Sequence, residues 1–98
     1  MGRNKIKKLL KEYRKQPKWY YHVTFDAIET GQLFNNDEEY ACGMNSVAIG
    51  QYVFGLTVIA FVLMVNHCHF LVYGSGESIV RFFLFVKRRI NRKLKEDG

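Results

Sequence analysis

The sequence predicts a single α+β domain built on an antiparallel sheet, and three observations carry that expectation. Apolar residues alternate with polar or small ones over Trp19–Asp26 and His67–Tyr73, the period of a strand with one buried face. They recur at helical spacing over Lys5–Lys15 and again from Ile79 to Leu94. The chain has 98 residues, room for one core and no second domain.

Taken in order, Lys5–Lys15 places Ile6, Leu9, Leu10 and Tyr13 at i, i+3, i+4 and i+7. This is an amphipathic helix that Pro17 ends, so residues 1–18 read as a basic N-terminal helix ahead of a domain spanning 19–98. In Trp19–Asp26, Trp19, Tyr21, Val23 and Phe25 face one way and Tyr20, His22, Thr24 and Asp26 the other. Gly31 and Asn35-Asn36 mark a loop. Asn36 is a candidate N-cap, and Asp37, Glu38 and Glu39 suit the positive end of a helix dipole. That helix runs to about Phe54 despite Gly43 and Gly50, each costing roughly 1 kcal/mol relative to alanine. Gly55 breaks it. Leu56–Met64, rich in Val, Ile and Phe, reads as a strand buried on both faces. A turn at Val65-Asn66 leads into His67–Tyr73. After Gly74-Ser75-Gly76, a last helix carries the stripe Ile79, Phe82, Phe83, Val86, Ile90 and Leu94.

The order after the first helix, β-α-β-β-α, is that of a ferredoxin-like antiparallel sheet with both helices on one face and the final strand missing. The strand order of that fold would leave Trp19–Asp26 as a bare edge. Bare edges pair with something, so this edge is expected to take a second copy of the chain, giving a homodimer, or the N-terminal segment.

Charge is unevenly placed. Residues 1–18 carry a balance of +7, residues 19–76 a balance of −5 with no Lys or Arg, and residues 77–98 a balance of +4. Two basic ends suggest a polyanion partner, although cations near a helix C-terminus are favourable on local grounds too. The longest apolar run, Leu56–Val65, is too short for a membrane span of ~20 residues, and no signal-peptide pattern follows the basic start. Cys42 and Cys68 make no disulfide framework, which fits an intracellular chain.

Chemistry concentrates in His67-Cys68-His69. Side chains two apart on a strand point the same way, so His67 and His69 share the open face with Leu71 and Tyr73, while Cys68, Phe70 and Val72 face the helices. Two imidazoles so placed can bind one divalent metal ion. Cys68 points the other way, which argues against a structural Cys/His zinc site. His22, on the polar side of the first strand, is a further candidate ligand.

Met64-Val65-Asn66-His67-Cys68-His69-Phe70-Leu71-Val72 resembles the H-hydrophobic-H signature of single-tyrosine HUH transposases, the insertion-sequence and REP-associated enzymes. Val65 stands where that family commonly has Pro or Ser, and Cys68 fills the hydrophobic slot. Tyr21-His22-Val23-Thr24-Phe25, Leu33-Phe34 before an acidic helix start, and Ser78-Ile79-Val80 running into a helix with Lys87, Arg88 and Asn91 resemble further segments of the family. Together these cover about residues 19–95.

The resemblance implies DNA transposition, through metal-dependent cleavage and joining of single-stranded DNA by way of a 5′-phosphotyrosine. It implies Mg²⁺ or Mn²⁺ held by His67, His69 and a third polar ligand. It also implies single-stranded or hairpin DNA held by the basic helix at Lys87, Arg88, Arg89, Arg92 and Lys93, in a bacterial cytoplasmic protein acting at the nucleoid. In that family the nucleophilic tyrosine and a glutamine ligand lie on a helix after the final strand. This chain ends at Gly98 before either, so the expectation is a truncated transposase that cleaves no DNA by itself. The competing expectations are a DNA-binding module without chemistry, and a dimerisation unit using Phe82, Phe83 and Phe85. Among those, Phe85 and its neighbour Leu84 lie off the core stripe.

Overall fold

The computed structural model describes residues 11–26 and 33–97. Most of the expected N-terminal helix, including Ile6, Leu9 and Leu10, lies outside them. Residues 11–14 are helical. The turn tightens at its end, where Lys15 N–H donates to Glu12 O at 3.2 Å and Gln16 N–H to Tyr13 O at 3.0 Å, the tighter bonding common at helix ends.

Beyond it come β1 (Trp19–Asp26), α1 (Asp37–Phe54), β2 (Thr57–Leu63), β3 (His67–Gly74) and α2 (Gly76–Asp97). The sheet order is β1-β3-β2, and both pairings are antiparallel. The molecule is therefore an α+β unit with a three-stranded sheet, its central strand the one that carries the two histidines.

Local chemistry explains the helix bounds. Asn36 has extended backbone angles, and its Oδ1 accepts from Glu39 N–H at 2.9 Å, satisfying a donor that has no partner within the helix. Gly55 ends α1 in the left-handed region at φ 66°, where glycine carries no Cβ penalty. Ser75 caps α2, its Oγ accepting from Ser78 N–H at 3.1 Å.

All strand residues in the core come from one face. Tyr21 and Val23 of β1, Val58 and Leu63 of β2, and Cys68, Phe70 and Val72 of β3 pack with Phe34, Val47, Ile79, Phe82, Val86 and Ile90. Both helices thus cover the same side. Phe70 meets Phe82 edge-on, ring centroids 5.7 Å apart, and each such buried ring contributes on the order of 1.5–3 kcal/mol. The glycines of α1 have a packing reason. A Cβ at Gly43 would lie 2.8 Å from Phe34 Cε1, and one at Gly50 2.8 Å from Phe82 Cδ1, so their absence lets α1 approach its neighbours closely.

One expectation changes. β2 is not buried on both faces: Ile59, Ala60, Phe61 and Val62 are exposed, because β2 is the outer strand of the sheet and its apolar composition does not reveal that. Phe85, off the core stripe by its spacing, packs against that core all the same. It is half-buried and edge-on to Phe54 at 5.5 Å, because α1 and α2 pack side by side and widen the buried stripe of α2.

Candidate metal and nucleic-acid site

β3 sorts its side chains by the strand period. Cys68, Phe70 and Val72 are 0, 1 and 0 % exposed, whereas His67, His69 and Tyr73 are half-buried and Leu71 exposed on the opposite face. The two imidazoles meet edge to face with centroids 4.7 Å apart. Cys68 takes no part. Burial pushes its thiol up to about 12, and a metal takes the thiolate.

Asn66, at the turn before β3, orients the first imidazole: its Oδ1 lies 2.7 Å from His67 Nδ1. The amide oxygen only accepts, so Nδ1 carries the proton and Nε2 of neutral His67 keeps its lone pair.

The register of β1 on β3 sets His22 opposite Leu71 and Thr24 opposite His69, and His22 leans across to the second imidazole. His22 Nε2 lies 3.2 Å from His69 Nδ1, the rings nearly parallel at 7°. Only one of these nitrogens can hold the shared proton. With the proton on His69 Nδ1, His22 accepts and His69 Nε2 is free to bind a metal. With the proton on His22, neutral His69 carries its own proton on Nε2 and is not a ligand there. The 3.2 Å between these nitrogens suits both a hydrogen bond that orients His69 and two donors on one ion, so His22 stays a candidate for either role. Among the described residues no set of three His, Cys, Asp or Glu side chains converges on a metal position. Among the described residues the nitrogen donors at hand are imidazoles, which suit Mn²⁺ better than the oxygen-demanding Mg²⁺.

Lys87, Arg88, Arg89, Arg92 and Lys93 of α2 lie in the helix layer, across the sheet from the histidines. They are not equivalent. Arg89 Nε donates to the buried Ser46 Oγ at 3.0 Å and its guanidinium lies 5.5 Å from the Phe85 centroid. Lys93 pairs with Asp97 at 3.2 Å and Glu38 at 3.8 Å. The hydrogen bond to Asp97 and its charge hold the ammonium above the usual lysine range. Lys87 sits over Phe83 at 5.8 Å. Arg88 and Arg92 are exposed. Arg89, Arg92 and Lys93 line a cleft of about 150 Å³ with Cys42 and Glu96.

No tyrosine stands beside the histidine pair. Tyr73 shares its face but lies four residues along β3, ~13 Å from His69 at strand rise, and Tyr20 packs on it at 4.7 Å. Tyr21 faces the core and donates its hydroxyl to Pro17 O at 2.6 Å. Tyr40 and Tyr52 belong to α1. Tyr13 lines a groove of about 300 Å³ between β1 and the start of α2, with His22, Val23, Ile79 and Phe83.

The roles of Asn66 and His22 were not read from the sequence. Adjacency was the only signal for Asn66, and the His22–His69 contact spans 47 positions that only the strand register brings together. Comparison with protein-family models, curated proteins and solved structures returns no match.

Proposed function

We propose that this chain is the metal-holding part of a single-tyrosine HUH transposase, with a ferredoxin-like β-α-β-β-α core, acting on single-stranded or hairpin DNA. The observation that supports the reading best is the pair His67 and His69 on the open face of β3, with the Nδ1 of His67 fixed by Asn66. A bound Mn²⁺ or Mg²⁺ supplies Lewis-acid polarisation of the scissile phosphate. His67 and His69 would hold the ion, with His22 in contact with Nδ1 of His69. Among the described residues no helix covers the open face, which leaves it free to take a DNA strand. Cleavage would require a tyrosine hydroxyl, which none of the described tyrosines brings beside the histidine pair. That hydroxyl would attack phosphorus and form a 5′-phosphotyrosine while the 3′-oxygen leaves.

A second reading, a DNA-binding module without chemistry, draws on the position of the exposed Arg88 and Arg92 on the layer away from the histidines. A strand held there would not pass over His67 unless it wrapped an edge of the sheet.

Calorimetric titration with Mn²⁺ separates the two. The metal reading expects one site that His67→Ala abolishes. The DNA-module reading expects the same weak heat from both proteins, with salt-dependent DNA binding untouched by the substitution.

A further inference from the structure

β2 is an edge strand without the usual protection. Edges are commonly blunted by charge, proline or a bulge, yet no charged residue occurs anywhere from Tyr40 to Gly76. Ile59, Phe61, Val62, Met64 and Val65 are 40–53 % exposed. Only the first half of the strand is guarded. The register shifts between Val58 and Ala60, and Gln51 Oε1 accepts from Val58 N–H at 2.7 Å.

Beyond it the edge is open at Phe61 and Leu63 only, since Leu33 N–H donates to Val65 O at 2.6 Å. Met64 N–H donates to His67 O at 2.8 Å, which makes Met64 and His67 a hydrogen-bonded pair. Antiparallel alternation then turns Val62 toward β3 and aims the N–H and C=O of Phe61 and Leu63 outward. Among the described residues nothing caps those groups. β1, the other edge, intersperses His22, Thr24 and Asp26 with its apolar positions, and Lys18 precedes it.

We infer that β2 pairs with β2 of a second copy of this chain, antiparallel about a two-fold axis at Val62, joining two sheets into one of six strands. The axis runs perpendicular to the sheet and keeps helix layer with helix layer, so partners must share a face. Phe61 then stands opposite Leu63 of the second copy, exchanging both backbone bonds, and Val62 stands opposite Val62. Even complete burial of these side chains reaches only about 1,000 Å² in total, the lower bound of specific interfaces, so the dimer is a weak one. The net charge of +6 does not oppose the contact, since the basic residues lie in 1–18 and 77–98. Val62 also pairs with His69 across β2 and β3, so the two His69 positions would lie on one continuous face, three strand spacings or ~14 Å apart.

Sedimentation velocity on the full chain from about 1 to about 300 μM tests this. The wild-type chain is expected to pass from monomer to dimer. Val62→Lys, which sets two ammonium groups against each other, is expected to stay monomeric with an unchanged circular dichroism spectrum. Thr24→Lys on β1 is expected to dimerise as wild type does. A wild-type monomer throughout, a Val62→Lys dimer, or a Thr24→Lys monomer would each overturn the assignment. Should Val62→Lys not fold, Val62→Cys in a Cys42→Ser background decides. Facing Cα atoms at ~4.5 Å suit a disulfide, so mild oxidation should give a covalent dimer, and its absence would overturn the pairing at Val62. None of these outcomes bears on the metal site.

Discussion

The two faces of β3 differ in everything but their backbone. One face, Cys68, Phe70 and Val72, is shut in by two helices. The other, His67, His69, Leu71 and Tyr73, is reachable from outside and holds its polar groups by side-chain hydrogen bonds alone. A strand with a period of two can assign stability to one set of side chains and chemistry to the other. Substitutions on the two faces should then fail differently, in stability on one and in binding on the other.

The largest effect belongs to the closed face. Phe70→Ala should cost about 3–5 kcal/mol in urea unfolding, the range for emptying an aromatic core position. A loss below about 1 kcal/mol would mean that the core is not where the packing puts it.

Next is an alkaline transition. The Cys68 thiol rises from 9.0 to about 12 on burial, so the unfolded chain deprotonates first. The stability tied to this group is complete below pH 9 and falls as pH rises from there toward about 12. Cys68→Ala should flatten that part of the stability profile, and an identical profile in the two proteins would remove the thiol as its cause.

A smaller loss is expected at Gly50. Alanine there gains about 1 kcal/mol of helix propensity, but its Cβ meets the buried ring of Phe82. Crowding of that kind costs about 1–3 kcal/mol, so the net effect should be destabilising. A stabilised Gly50→Ala would show that α1 can back away from α2.

On the open face, His22→Ala should move stability by less than about 0.5 kcal/mol. It should weaken Mn²⁺ binding 10–100-fold, the usual effect of removing the hydrogen-bond partner of a metal-binding histidine. Isothermal titration reads both His22→Ala and His22→Gln, and Gln, which can still accept through its amide oxygen, should recover part of the affinity. A complete loss in His22→Ala would make His22 a ligand.

Much of this architecture was legible in the sequence. The bounds of β1, the Asn36 cap, the Gly55 stop and the alternation of β3 all follow from local rules of period and capping. What was hidden depends on position in the assembled sheet. Val58 to Leu63 has the composition of a central strand, and hydrophobicity alone does not distinguish a centre from an edge. The basic residues of α2 could be counted but not aimed. That Arg89 is taken up by Ser46 and Phe85, and Lys93 by Asp97 and Glu38, depends on how α1 lies beside α2. The histidine pair could be placed on one face, but its tautomers could not be read, because they depend on Asn66 and on a partner from another strand.

The most direct test of the histidine pair as a metal site is pulsed electron paramagnetic resonance of Mn²⁺ added to the full chain. If His67 and His69 hold the ion, its electron spin echo is modulated by ¹⁴N of directly bound imidazole, and the modulation disappears in His67→Ala. An ion that shows no nitrogen modulation in the wild-type chain, or the same modulation in His67→Ala, would mean that the pair does not bind it.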